Sequence, residues 1–215
     1  MRYAIFDLDG TLLDSMGIWE SLDAKFLKRY GQAPTPEMHR RIKTLTVREA
    51  AQLFKIKYDL LPTVDEISSE INQLCTEEYL NHVQLKPRAR EFLEYLHNKA
   101  VKMCIATAGP RTNTEQVLLR MGIIEYFDFI LTGDDMKTGK DDPEIFLRCA
   151  AGFGAPPGEI TVFEDALHAV KSAKKAGFRV IGVYDPSSDQ DWDEIVGICD
   201  GYIKDFREAI VILTM

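Results

Sequence analysis

Near its start, this chain of 215 residues reads YAIFDLDGT, from Tyr3 to Thr11. The apolar run is typical of a buried β-strand, and Gly10 predicts a turn after it. We therefore expect Asp7 and Asp9 at the carboxyl end of a strand, where open α/β sheets bind their ligands. Two carboxylates held that close repel each other unless a cation or a proton lies between them. One can act as nucleophile and metal ligand while the other carries protons, which suits phosphoryl transfer through an aspartyl-phosphate. Taken alone, the same acids could also cap a helix or bind water.

The composition is that of an ordinary globular protein, with 46% hydrophobic and 28% charged residues. A formal net charge of −8 disfavours binding to nucleic acid or to acidic membranes. We expect no targeting leader and no membrane span, hence a cytoplasmic protein, and we favour a monomer. The cysteines are scattered, which predicts buried reduced thiols rather than a zinc site or a disulfide framework. They are Cys75, Cys104, Cys149 and Cys199.

The chain changes character after Thr11 and again near Leu85. The intervening stretch has apolar residues at helical spacing, and Thr46–Glu49 and Thr63–Glu66 each have the pattern of a capping box that begins a helix. A helical bundle inserted directly after the first strand is therefore predicted, and we expect it to stand over that strand's carboxyl end.

From Pro87 onward, helices and β-type runs alternate, which implies a parallel sheet covered on both faces. In this part of the chain, Thr112 and Glu115 are predicted to cap a helix. The predicted fold class is α/β. We expect residues 1–14 and 86–215 to form a Rossmann-like core with helices on both faces of its sheet, and residues 15–85 to form an inserted helical cap.

Polar side chains follow three later apolar runs, and each has an ordinary structural alternative. Thr107, with Ala108 and Gly109 after it, could bind a phosphate oxygen or simply cap a helix. Lys140 could likewise bind a phosphate or be a solvated loop lysine. Glu164 and Asp165 could bind a metal or interact with a helix dipole; they are the third such group.

Taken together, these strand ends predict one site. The parallel sheet would bring all of their side chains to one edge, together with Asp7 and Asp9. Carboxylates gathered in a crevice attract a divalent cation, and an all-oxygen ligand set favours Mg²⁺. Thr107 and Lys140 would supply the donors that a phosphate needs beside that metal.

In these motifs the chain resembles the haloacid dehalogenase-like hydrolases, in particular the capped phosphatases close to β-phosphoglucomutase. The resemblance covers nearly the whole chain. It rests on five segments in matching order: Asp7–Thr11, Thr107, Gly139–Lys140, Asp142–Pro143 and Phe163–Ala166.

The resemblance implies a role for each site residue. Asp7 would be the nucleophile that becomes phosphorylated, and Asp9 the general acid and then the general base, with its backbone carbonyl on the metal. Asp165 would bind Mg²⁺, and Glu164 would support the metal shell. Phosphate binding would be shared by three residues: Thr107, Ala108 and Lys140.

Some positions depart from the family pattern. Trp19 stands where the mutases carry a histidine, which argues against a mutase, and Trp19 could be cap core or a wall facing the substrate. Asp141 replaces a usual proline, and Thr44 a usual glycine. Arg48 lies close to a basic cap position, so it could contact substrate together with Arg41 and Lys43, or all three could be solvated.

These expectations together predict a Mg²⁺-dependent phosphatase. Its expected partner is its substrate, a small phosphorylated metabolite of the sugar or polyol phosphate class. One alternative is a sugar phosphomutase that returns the phosphoryl group to its substrate. Another is a phosphate-binding relative without catalysis, although binding alone needs no acid/base carboxylate such as Asp9.

Overall fold

The computed structural model describes residues 1–38, 47–136 and 140–209, without the side chains of Trp19 and Glu20. The chain divides into two compact units. One is formed by Met1–Asp14 and Gln84–Met215, and the other by Ser15–Val83. The predicted cap segment ran to residue 85, but Gln84–Leu85 (β3) pairs antiparallel with Leu13–Asp14 (β2) in the first unit.

The first unit is built on a six-stranded sheet in which all neighbouring strands are parallel. Its strands are β1 Tyr3–Phe6, β4 Lys102–Ala106, β5 Phe129–Leu131, β6 Ile160–Glu164, β7 Arg179–Val183 and β8 Gly201–Ile203. They lie in the order β5-β4-β1-β6-β7-β8, so β1 lies inside the sheet. The prediction of a parallel α/β sheet is confirmed, whereas the short β8 was not predicted.

Helices connect these strands, as the alternation in sequence predicted. They are α4 Ala89–Asn98, α5 Arg111–Arg120, α6 Glu144–Phe153, α7 Leu167–Lys175 and α8 Trp192–Ile198. The predicted capping of α5 by Thr112 and Glu115 is wrong. This helix already begins at Arg111, and the residue before it, Pro110, makes no side-chain capping bond.

The core of the first unit lies on both faces of the sheet because successive strand residues point to opposite sides. On one face, Phe6 stacks on Phe163 with ring centroids 4.6 Å apart, and Phe92 of α4 packs edge-on against Phe163. On the other face, Ile5 belongs to an apolar cluster that includes Phe146 of α6. Burial on both faces fixes β1, and therefore fixes the position of the residue that follows it.

The second unit is helical and has its own core. Its described helices are α1 Met16–Arg29, α2 Val47–Lys57 and α3 Val64–His82. Phe26 of α1 and Phe54 of α2 stack within this core, with ring centroids 5.5 Å apart. The predicted capping box of Thr63 and Glu66 begins α3, while the one predicted at Thr46 falls outside the described residues.

Two further expectations from the sequence concern cysteines and membranes. The four cysteines are free thiols; Cys104 and Cys149 are buried, and Cys75 and Cys199 are half-buried. Within the described ranges, none of the helices combines the length and the apolar character that crossing a bilayer requires.

Candidate active site

Asp7 takes its position directly from the sheet. Its backbone N–H donates to the carbonyl of Phe163 at 3.0 Å, so the pairing of β1 with β6 continues one residue past the end of β1. The chain then turns tightly, and the N–H groups of Leu12 and Leu13 both donate to the carbonyl of Leu8, at 3.0 and 2.8 Å. Asp7 is therefore a buried carboxylate at the carboxyl edge of the sheet.

Three buried carboxylates meet at this edge. Asp7, Glu164 and Asp165 each offer an oxygen, and these oxygens all lie within 4.8 Å of one another. Asp7 follows β1, Glu164 ends β6, and Asp165 follows it, so the parallel pairing of β1 with β6 brings them together. The group fits a hard divalent cation because all of its side-chain ligands are carboxylate oxygens, which Mg²⁺ prefers over nitrogen or sulfur.

Lys140 is the buried cation among these acids. Its ammonium is hydrogen-bonded to Oδ1 of Asp7 and, at 2.8 Å, to Oε2 of Glu164. Burial alone would lower the pKa of Lys140, but the charges of Asp7 and Glu164 raise it above its ordinary value. Lys140 therefore stays charged, and the interpretation of a solvated loop lysine is wrong.

Glu164 uses both of its carboxylate oxygens within the protein. Oε2 accepts from Lys140, and Oε1 accepts from the backbone N–H groups of Asp165 and Ala166, each at 3.2 Å. Burial, with the charge of Asp7 next in size, raises the pKa of Glu164 to about 7, although Lys140 opposes the shift. These contacts hold Asp165 and the start of α7 in place, which suits a supporting position beside a metal.

Asp165 is held by Thr11, the last residue of the opening motif. The Thr11 hydroxyl donates to Oδ1 of Asp165 at 2.9 Å. Burial raises the pKa of Asp165 well above its ordinary value, the charges of Glu164 and Asp7 add to the effect, and Thr11 and Lys86 oppose it. Out of water, such a cluster of acids needs a compensating charge.

Gly10 makes room for Asp165. Its φ of +82° is a left-handed conformation, and a Cβ built on it would lie 2.3 Å from Oδ2 of Asp165. A side chain at this position would force Asp165 to move, because atoms that are not bonded to each other do not approach so closely. Gly10, which the sequence assigned only to a turn, therefore also allows the Asp7–Thr11 loop to approach the carboxylate of Asp165.

Thr107 and Asp9 face the same small space. A Cβ built on Gly109 would lie 3.5 Å from Oγ1 of Thr107 and 3.8 Å from Oδ2 of Asp9. The Thr107 hydroxyl accepts from the N–H of Gly109 at 3.2 Å, and α5 begins only at Arg111. The alternative interpretation of Thr107 as a helix cap is therefore wrong. Ala108, which lies between Thr107 and Gly109 in the chain, is exposed.

Gly133 supports the loop that carries Thr107, a role that sequence analysis did not detect. Its N–H donates to the carbonyl of Gly109 at 3.3 Å, and a Cβ on Gly133 would lie 2.3 Å from the carbonyl oxygen of Ala108. The only sequence signal was its place just after the β5 run.

Of the residues that the sequence predicts as cap contacts to substrate, the structure describes the side chain of Arg48. Arg48 is exposed at the start of α2 and pairs with exposed Asp65 within the helical unit. The side chain of Trp19 lies outside the described part of the chain, as do Gly139 and the segment with Arg41, Lys43 and Thr44.

Comparison with known proteins gives the family. The profile of the haloacid dehalogenase-like hydrolases matches residues 4–183, which is most of the chain. The chain belongs to this family. A phosphorylated carbohydrates phosphatase of Thermotoga maritima is 30% identical over 184 residues, which are 85% of each chain. Fructose-1-phosphate phosphatase YqaB of Escherichia coli is 29% identical over 85% of this chain and 97% of its own.

A solved structure from Thermotoga maritima, provisionally described as a β-phosphoglucomutase, has a similar fold. It is 27% identical, has a TM-score of 0.89, and the match covers 100% of this chain and 99% of that one. The predicted family, α/β fold with a helical insertion, and hydrolase class are confirmed.

The first prediction concerns Gly10. We expect Gly10→Ala to lower the free energy of unfolding by more than the roughly 1–2 kcal/mol of an unfavourable backbone conformation, because Asp165 must also move. Gly177→Ala is the matched control, since Gly177 has φ +87° and a Cβ there would meet nothing within 4 Å. Urea unfolding of both variants measures the difference. Equal losses would show that Gly10 does not make room for Asp165.

The second prediction concerns pH. Without Mg²⁺, the free energy of unfolding should fall as pH rises from about 4.5 to about 7, by an amount on the order of a few kcal/mol. The reason is that a carboxyl whose folded-state pKa is raised binds its proton more tightly when folded, so its stabilising effect is present below pH 4.5 and is lost through pH 7. Urea unfolding across this range, with and without Mg²⁺, measures it.

Mg²⁺ should cancel most of that fall because a bound cation favours the ionised carboxylates. Glu164→Gln should reduce it, since the uncharged amide does not titrate. A free energy of unfolding that stays constant between pH 4.5 and 7 would contradict the assignment of raised pKa values to this cluster.

Proposed function

We propose that this hydrolase is a Mg²⁺-dependent phosphatase for small phosphorylated sugars or polyols, acting through a phosphorylated Asp7. The observation that carries the proposal is the buried group of Asp7, Glu164 and Asp165 with Lys140 hydrogen-bonded inside it. The substrate class is supported by the relatives, which are named for phosphorylated carbohydrates and fructose 1-phosphate.

Asp7 is the proposed nucleophile that attacks phosphorus. Lys140 binds its Oδ1 and stabilises the ionised carboxylate, which is the nucleophilic form. In the first step, a carboxylate oxygen of Asp7 forms a bond to phosphorus while the bond from phosphorus to the leaving alcohol breaks. Lys140 and the hydroxyl of Thr107 are the groups that would hold the phosphoryl oxygens during this transfer.

Asp9 is the candidate proton carrier. Its side chain is half-buried, and its Oδ2 lies 3.8 Å from the position of a Cβ built on Gly109. It would give its proton to the leaving alcohol in the first step. In the second step, the resulting carboxylate would take a proton from water, which attacks phosphorus and releases Asp7 and inorganic phosphate.

Mg²⁺ would be held by Asp7 and Asp165, with Glu164 supporting them and the backbone carbonyl of Asp9 added by resemblance to the family. When bound, it would neutralise negative charge on the carboxylates and the phosphoryl group. The protein's own contribution is to keep these oxygens dry and close together before substrate arrives.

A β-phosphoglucomutase-type reaction is the second candidate, favoured by the structural similarity at a TM-score of 0.89. It uses the same aspartyl-phosphate but returns the phosphoryl group to a sugar. The two functions separate in one assay, because a mutase needs a sugar bisphosphate and releases little inorganic phosphate. Cap contacts from Trp19 or Arg48 stay predictions for either reaction.

The third prediction tests the nucleophile. On a panel of sugar and polyol phosphates, the protein should release phosphate only with Mg²⁺, and Asp7→Asn should lower kcat by at least about a thousandfold, because the amide is not nucleophilic. Asp193→Asn, an exposed residue of α8, is the matched control and should keep full activity. Near-normal turnover by folded Asp7→Asn would refute the covalent mechanism.

A further inference from the structure

Lys86 forms a second buried ion pair at the carboxyl edge of the sheet. Its ammonium lies 2.9 Å from Oδ2 of Asp185 and donates to the carbonyl of Tyr184 at 2.7 Å. The two charged side chains are only 11% and 2% exposed. Neither residue was predicted to belong to the site.

The partner of Lys86 is rigidly oriented. Asp185 follows β7, the strand next to β6, and its Oδ1 accepts from the backbone N–H and the hydroxyl of Ser187, at 2.9 and 2.6 Å. The other oxygen, Oδ2, is directed to Lys86. The position of the ammonium is therefore set by the end of β7.

Lys86 also holds the loop that follows Asp7. Its backbone N–H donates to the carbonyl of Leu12 at 2.8 Å, next in sequence to Thr11, whose hydroxyl holds Asp165. A continuous series of contacts thus runs from Asp185 through Lys86 and Leu12 to Thr11, and ends on the carboxylate of Asp165.

A buried ion pair is a poor source of net stability, because removing two charges from water offsets most of their attraction. Such a pair does fix geometry, since both partners lose the freedom to move apart. Groups that orient metal ligands without touching the metal commonly change metal affinity by 10- to 100-fold when substituted.

We propose that Lys86 and Asp185 are positioning residues of the metal centre, which fix Thr11 and Leu12 against the end of β7 so that Asp165 is held ready for Mg²⁺. The proposal rests on the proposed function, because it takes Asp165 as a metal ligand. Lys86 acts through the loop, since the contacts described above go to Leu12, Tyr184 and Asp185, and its positive charge adds a direct electrostatic effect on Asp165.

The experiment is Mg²⁺ binding by the full chain without substrate, measured by titration calorimetry for Lys86→Met, Asp185→Asn and the double variant. Each single variant should bind Mg²⁺ about tenfold more weakly. The double variant should bind no more weakly than the weaker single variant, because both changes break one connection. Thr11→Val, which removes the last contact of the series, should show a similar loss.

Lys102→Met is the matched control. It breaks an ion pair of similar length, 2.8 Å to Asp128, in the same unit, but the two side chains are 63% and 34% exposed. Its Mg²⁺ affinity should equal that of the unmodified protein. Circular dichroism should show that every variant is folded at the temperature of the titration.

Two results would overturn the inference. One is folded Lys86→Met and Asp185→Asn with Mg²⁺ affinities within twofold of the unmodified protein. The other is loss of the fold in both variants, which would make the pair a requirement of folding. An unmodified protein that binds no Mg²⁺ would instead refute the proposed metal centre itself, so the two failures are distinguishable.

Discussion

Buried carboxylates within 4.8 Å of one another are the constraint on which the rest of this structure depends. Such charges repel strongly out of water, so Asp7, Glu164 and Asp165 can share this edge only if a cation or a bound proton offsets their charge. Lys140 supplies positive charge to this group, while burial and the charge of Asp7 still raise the pKa of Glu164. A divalent cation would complete the charge compensation, and the proposed phosphoryl transfer to Asp7 would require the same cation.

The fold supplies the precision that this arrangement demands. Parallel pairing of β1 with β6 places Asp7 beside Glu164, and the two-sided core around Phe6 and Ile5 prevents that pairing from slipping. The loop after β1 then approaches Asp165 closely because Gly10 has no side chain. The strand β1, which anchors the core, is directly followed by the proposed nucleophile, Asp7.

Much of the candidate site could be predicted from the sequence because its polar residues directly follow apolar runs. Asp7, Thr107, Glu164 and Asp165 could be assigned to one sheet edge from the β-α alternation alone, and the structure places them at strand ends. Side-chain contacts between distant segments could not be read in the same way. The approach of Gly10 to Asp165 and the pairing of Lys86 with Asp185 depend on tertiary packing that no local pattern encodes. Asp185 did follow a β-type run, and that signal could have suggested it.

Local signals failed where tertiary packing supplied an alternative. Thr112 and Glu115 have the spacing of a capping box, yet α5 begins at Arg111, two residues before the start that a Thr112 cap would give. That arginine is anchored by Asp135 at 2.6 Å and by the backbone carbonyl of Ile130 at 3.1 Å, contacts from the neighbouring segment that fix the start of the helix. The same segment includes Gly133, which supports the loop of Thr107 and Ala108.

The most direct test of the central claim is a crystal structure of the protein with Mg²⁺ and beryllium trifluoride, a mimic of a phosphoryl group on a carboxylate. We expect the beryllium on Asp7, with Lys140 and Thr107 on its fluorine atoms. We also expect Mg²⁺ at about 2.1 Å from oxygens of Asp7 and Asp165. Mg²⁺ bound elsewhere, with Asp7 and Asp165 still empty of ligand at saturating concentrations of both reagents, would contradict it.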